Sequence, residues 1–279
     1  MAERKSYGLG LSNEWSDERR RLAAVELLFD APTFRHLDSL GITLGMRCLE
    51  LGGGGGSVAR WIADRVGPTG SVLVTDIDVE GLVGCDRPNI EVQLHDVCTD
   101  PLDDASFDFI HARLLLEHLP SRVDVIDKLV IALRPGGWLL LEDLDFTGFI
   151  HLAEELLLCE PTHVRGLYQR AVRGAADMGR SAGWNGEFAR QLPVHLVNAG
   201  LEAIGGETRA PLIVSGSPES AFFTLSLNQL GPVYVSNGLL STEELALLIG
   251  TFEKPGAMVD GYPMVSAWGR RRARTEPKS

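Results

Sequence analysis

Five consecutive glycines at 52–56 stand between Glu50 and the run SVARWIADRV. Glycine is costly inside regular structure, so five in a row make room for something to lie against the backbone. A strand, a glycine loop and a helix also bring unsatisfied N–H groups to a helix N-terminus, a place that favours negative groups. Two more acids end apolar runs, Asp76 in VTDID and Asp96 in LHDV. Downstream, HARLLLEHLP holds His111, Arg113, Glu117 and His118, residue types able to move a proton or meet a charge. Glu142 and Asp143 close the run WLLLED.

Elements must place these groups. Residues 46–51, 71–78, 90–97, 107–112 and 138–144 read as short apolar strands, and 57–66 and 121–133 as helices, the second closed by RPGG. Such alternation predicts a parallel sheet wound by right-handed crossovers, with both faces covered. Ahead of it, 17–40 reads as two helices broken at Pro32. Past residue 144 the alternation stops: 153–178, 188–200, 218–230 and 241–252 are helical in pattern, a strand begins within 201–214, and YPMVSAWGRR closes the chain as a strand. The expected organisation is an N-terminal helical lid over 1–45, a cofactor-binding core over 46–145, a helical substrate cover over 146–200, and strands and helices over 201–279 that complete the sheet.

Composition bounds the partners. A chain of 279 residues with 44% hydrophobic and 23% charged residues is ordinary for a globular protein. Formal net charge is −12, and the dense basic run GRRRAR at 269–274 reads as a solvated tail, so nucleic acid is not the expected partner. No stretch approaches the ~20 apolar residues of a membrane span, and the first residues lack the apolar core of a signal peptide, so a cytoplasmic location is expected. Cys48, Cys85, Cys98 and Cys159 form no CxxC pair and read as reduced, mostly buried thiols. No metal-ligand spacing joins the dispersed histidines with Glu142, Asp143 and Asp145, so no metal is expected.

Two nucleotide readings compete at the glycines. The dinucleotide fingerprint threads as Gly54, Gly56 and Ala59, with Asp76 about twenty residues on. The phosphate loop of nucleotide hydrolases needs a lysine that is not there. Glu50, directed at the loop, would repel a pyrophosphate but suit a guest carrying an ammonium and a positive sulfur. S-adenosylmethionine is such a guest, having no phosphate.

With that, the chain resembles the class I S-adenosylmethionine-dependent methyltransferases of small-molecule, secondary-metabolism type, over residues 46–144. Glu50, Gly52, Gly54 and Gly56 meet the motif E/D-x-G-x-G-x-G; Asp76 and Asp96 meet the acids ending the second and third strands; LRPGG at 133–137 meets the turn before the fifth. Gly53 and Gly55 stand where the family often has Cys or Ser and Thr. The resemblance implies a doubly wound, mostly parallel seven-stranded Rossmann-like sheet. It also implies cofactor contacts from Glu50 and the three motif glycines, from Asp76 to the ribose hydroxyls, from Ile77 to an adenine face, and from Asp96 and the Val97 N–H to the adenine edge. Asp78 reads as a helix-start residue instead.

Methyl transfer is an in-line displacement that rests mainly on alignment in a site emptied of water. A base is needed only if the attacking atom must lose a proton. His111, Arg113, Glu117 and His118 are the candidates at the sheet's mouth, although Arg113 and Glu117 would equally make a helical i, i+4 ion pair. Glu142, Asp143, His163 and Tyr168 are candidates for meeting substrate, and Tyr7 and Trp15 for a lid folded over the cofactor. The expected acceptor is an oxygen, nitrogen or carbon nucleophile of a small molecule such as a phenol or indole. The alternatives are an NAD(P)-dependent oxidoreductase and a non-transferring S-adenosylmethionine-binding cyclase or regulatory protein. Isolated domains of this class are often dimers, which makes a homodimer the expected alternative to a monomer.

Overall fold

Along the central strands neighbouring residues serve opposite faces of one sheet, as a period of two requires. In the computed structural model, which describes residues 16–82, 84–146, 157–159 and 162–273, the strands are β1 (Arg47–Leu51), β2 (Ser71–Asp76), β3 (Ile90–Leu94), β4 (Phe107–Arg113), β5 (Leu133–Leu144), β7 (Glu202–Arg209) and β10 (Met264–Arg270), in the order β3-β2-β1-β4-β5-β10-β7. The pairs β1–β2, β1–β4, β2–β3 and β4–β5 are parallel. β10 runs the other way: its far end exchanges hydrogen bonds with the start of β5, Gly136 N–H to Arg271 O and Arg271 N–H to Gly137 O, both 2.8 Å. Its near end meets the other end of β5 through Ser266 and Glu142.

On one face Cys48, Val72, Val74, Phe109 and Leu140 pack under α1 (Glu18–Ser39) and α2 (Ser57–Val66), with Leu37, Ile62 and Val66 fully buried. The other face presents Leu49, Ile110, Leu139 and Leu141 to α3 (Arg122–Ala132) and α5 (Phe188–Asn198). Burying such side chains contributes about 1.5–3 kcal/mol each before entropy is charged.

Several expectations change. In place of the two helices expected over 17–40 there is one, Glu18–Ser39, with Pro32 inside it. Proline removes a single helical N–H, and flanking groups hold the helix: Phe29 and Leu37 are buried and Thr33 donates to Glu142. β5 takes in Leu133 and the RPGG run, absorbing the extra residues as a register shift between Phe107 and Phe109 of β4. β3 is an edge strand that leaves Val92 and Leu94 exposed; the segment before it makes a 3₁₀ turn, Val79–Gly81, in place of a crossover helix. Asp78 caps that turn, accepting the Glu80 N–H at 3.0 Å.

Contacts divide the chain into two units, cut differently from the expected segments. Of the described residues, the sheet unit takes those within 30–143, 188–208 and 265–273; the second takes those within 16–29, 144–187 and 209–264. The expected 146–200 cover thus loses α5, whose Phe188, Leu192 and Leu196 join the sheet's core. Among the described residues of the expected sheet-completing segment 201–279, β7 and β10 reach the sheet. The second unit has its own three-stranded sheet, β6-β9-β8, made of Leu157–Leu158, Met258–Asp260 and Leu212–Val214. β6 lies where helix was expected. Around the unit's helices α4 (His163–Ser181), α6 (Ala221–Ser236) and α7 (Thr242–Glu253), Tyr168, Phe223, Phe252 and Tyr262 form an aromatic cluster. Tyr7 and Trp15 lie outside the described residues.

Candidate active site

The loop after β1 is shaped by its alternate glycines: Gly52, Gly54 and Gly56 have φ of 71°, 52° and 82°, a region L side chains rarely adopt. Gly53 is held for a different reason. A Cβ there would stand 2.4 Å from Val74 Cγ2 and 2.7 Å from a Leu82 methyl, so the Cys or Ser common in the resembling family has no room. Four of the loop's five glycine N–H groups donate inside the fold. Gly52 and Gly53 N–H groups both reach Thr75 O (2.8 and 3.0 Å), Gly56 N–H reaches Gly53 O (2.8 Å), and Gly54 N–H reaches Asp76 Oδ2 (3.0 Å). A carboxylate therefore already occupies the position by the helix N-terminus that a phosphate would seek.

Asp76 ends β2 and is 7% exposed. Burial pushes its carboxyl up, against the N–H groups of Gly54 and Asp78 that favour the charged form. Oδ2 accepts the Gly54 N–H and Oδ1 the Asp78 N–H, each at 3.0 Å, and the Ile77 N–H adds to them. Ile77, next in line, is 38% exposed, an apolar face offered to solvent beside that acid. Asp96 stands on the adjoining edge, because Asp76 pairs with Leu94 and its carbonyl accepts the His95 N–H at 2.9 Å. Asp96 Oδ1 accepts the Cys98 N–H, and buried Val97 is anchored by Lys128 Nζ on its carbonyl. A ribose diol, an adenine face and an adenine edge fit this row of acceptors and apolar surface, so the residues present suit an adenosine group.

The residues expected around chemistry are distributed otherwise. His111 is fully buried in the middle of β4 with both ring nitrogens engaged: Nδ1 lies 2.7 Å from Glu50 Oε2 and Nε2 3.2 Å from Glu142 Oε2. The register explains it, since Glu50 pairs with His111 and Glu142 with Arg113 on the face that α1 covers. Thr33 and Ser266 hydroxyls donate to the two oxygens of Glu142, each at 2.5 Å. Burial alone would lower His111, but Glu50 and Glu142 hold it up to about 9. Burial likewise opposes ionisation of Glu142, yet the His111 hydrogen bond and the His111 and Arg113 charges keep it at about 2. Glu50 is pushed up by burial more than His111 draws it down. His111 therefore stands as a shared cation between two buried carboxylates, nearer to Glu50 at 2.7 Å than to Glu142 at 3.2 Å. Glu50 does not face the loop as an open carboxylate, which corrects the expectation that it alone selects the guest, and His111 has no nitrogen left for an acceptor.

Arg113 does not pair with Glu117. It belongs to β4 while Leu116–His118 is a 3₁₀ turn, so no helical i, i+4 geometry exists. Its Nη2 donates to Asp30 Oδ1 at 2.8 Å and its Nη1 to Thr33 Oγ1 at 3.0 Å. Glu117 lies 3.3 Å from His118 Nε2. Asp143 accepts the Leu115 N–H at 3.0 Å; burial first, and Glu117 second, push its carboxyl well above the usual range. Asp143 thus braces the turn whose Leu115 side chain packs against Gly52. Tyr168 and His163 belong to the second unit, Tyr168 buried in its aromatic cluster and His163 exposed at the start of α4. Asp30, Thr33 and Ser266 were missed by sequence reasoning. A signal existed in α1: Asp30 and Thr33 fall on the helical face that carries buried Leu37. Among the described residues no group of three or more His, Cys, Asp or Glu stands ready to hold a metal, and no helix is long and apolar enough to cross a membrane.

A family profile described as a methyltransferase domain matches residues 12–180, more than half of the chain. The chain is 37% identical over 101 residues to the methyltransferase str2 of Strobilurus tenacellus, covering 36% of each chain. It is 34% identical over 110 residues to the ubiquinone/menaquinone biosynthesis C-methyltransferase UbiE of Laribacter hongkongensis, covering 37% of this chain and 45% of that one. The matches thus span less than half the length of these relatives. In fold it is similar to a Haemonchus contortus phosphoethanolamine N-methyltransferase 2 solved with phosphomonomethylethanolamine and S-adenosylhomocysteine. That likeness has a TM-score of 0.57 at 14% identity, over 91% of this chain and 57% of that one. The chain belongs to the methyltransferase-domain family, with the fold and motif order of its class I, S-adenosylmethionine-dependent members.

Proposed function

We propose that the chain transfers a methyl group from S-adenosylmethionine to an oxygen, nitrogen or carbon nucleophile of a small molecule. When bound, the cofactor supplies an electrophilic methyl on a sulfonium that leaves as a neutral thioether. The residues of the chain bind and orient. Asp76 accepts from the ribose hydroxyls, Ile77 covers an adenine face, and Asp96 with the Val97 N–H reads the adenine edge. Gly52, Gly54 and Gly56 let the methionine part lie against the backbone. His118, oriented by Glu117, is the proton acceptor where the substrate must lose one. The names of the relatives, which concern quinone biosynthesis and phosphoethanolamine, support a small acceptor.

The observation that carries this reading over a dinucleotide is the spent loop. Four glycine N–H groups already donate inside the protein, one of them to Asp76, so a pyrophosphate would find a carboxylate in its place. Calorimetry with S-adenosylhomocysteine and with NAD, followed by incubation with methyl-labelled cofactor and a panel of phenols, indoles and amines, tests it. Binding of S-adenosylhomocysteine and label in a small product are expected. Binding of NAD in its stead would overturn the reading.

A further inference from the structure

Since Glu50 is turned onto His111, the positive end of an amino acid lying on the loop is left for another acceptor to meet. Register locates the spot. Leu51 pairs with Ala112, so Gly52 and Arg113, the next residue of each strand, stand side by side at the sheet's edge. Asp30 of α1 reaches that edge. Its Oδ1 accepts the Ser57 hydroxyl at 3.0 Å and Arg113 Nη2 at 2.8 Å, and Ser57 directly follows Gly56. Three elements that meet at the glycine loop thus fix one carboxylate. Among the described residues nothing donates to Asp30 Oδ2, and the side chain is 20% exposed, against 3% for Glu50. Arg113, whose side chain is 8% exposed and also donates to Thr33, orients the acid without enclosing it.

We propose that Asp30 is the acceptor for the α-ammonium of S-adenosylmethionine, held in place by Arg113 and Ser57, and that Glu50 serves the sheet. This rests on the cofactor reading above and adds to it a ligand that lies outside the glycine motif. Asp30 is then a binding residue, while Arg113 and Ser57 act through it.

The test is calorimetric binding of two ligands, S-adenosylhomocysteine and 5′-methylthioadenosine, to the full chain and to Asp30→Asn. Methylthioadenosine keeps the adenosine and the sulfur but lacks the amino acid. The substitution is expected to weaken S-adenosylhomocysteine about 10- to 100-fold, the scale of one charged hydrogen bond, and to leave methylthioadenosine within about twofold. Equal binding of S-adenosylhomocysteine by both proteins would overturn the proposal alone, as would equal losses for both ligands, which would mean that Asp30 merely shapes the loop. Failure of the unsubstituted chain to bind either ligand would remove the cofactor reading and the proposal with it. Should Asp30→Asn not fold, Asp30→Glu takes its place: it is expected to lose less than tenfold for S-adenosylhomocysteine and nothing for methylthioadenosine, and parallel losses would again refute the idea.

Discussion

Replacing His111 by Gln tests the buried network most sharply. In the folded chain His111 is held at about 9 against an ordinary value of 6.5. At about 1.4 kcal/mol per pH unit, that gap stores about 3 kcal/mol of stability. The sign follows from the direction. A raised histidine binds its proton more tightly when folded, so the stability is fully present below pH 6.5 and is lost as pH rises through 9. Glu142 reports the same pairing from its other side, so its lowered value is not added. His111→Gln removes the cation and leaves Glu50 and Glu142 buried with no positive partner between them, a loss of about 3–5 kcal/mol at neutral pH. Urea unfolding of both proteins from pH 6 to pH 10, followed by tryptophan fluorescence, gives the difference. It should be largest at pH 6 and shrink by about 3 kcal/mol by pH 10. A difference that stays constant across that range would show His111 neutral in the folded state, and the ion-pair argument would fail.

Other perturbations follow from single contacts. Gly53→Ala puts a methyl 2.4 Å from Val74 Cγ2, and calorimetric melting should show a loss of about 1–3 kcal/mol from overpacking. Asp76→Ala should weaken S-adenosylhomocysteine by at least about tenfold in a calorimetric titration, because a charged acceptor for two hydroxyls is lost; unchanged affinity would remove Asp76 from the site. Pro32→Ala restores a donor inside α1 and should raise stability by about 1–3 kcal/mol in the same melting assay, provided the helix keeps its course.

Much of the sheet unit was legible in the sequence because local rules decide it. Apolar runs of strand length alternate with helical runs, and only a parallel sheet with crossovers satisfies them. The loop glycines were legible too, since their spacing states a backbone need that no other residue meets cheaply. The acids at 76 and 96 followed because strand ends in such a sheet share one edge. What the sequence left open are matters of pairing between distant segments. Glu50 looks like a free anion until strand register sets His111 beside it, and nothing local announces that α1 will lay Thr33 on Glu142 from 109 positions away. Arg113 and Glu117 carry a helical spacing that β4 cancels by running through Arg113. The second unit was the least legible, because its strands of two and three residues, Leu157–Leu158, Leu212–Val214 and Met258–Asp260, carry too few positions to show a period. Chemistry-bearing residue types and their order were set by the chain alone. Which of them remain available to a guest was decided by tertiary structure, because hydrogen-bond and charge partners in a buried network are chosen by packing and register.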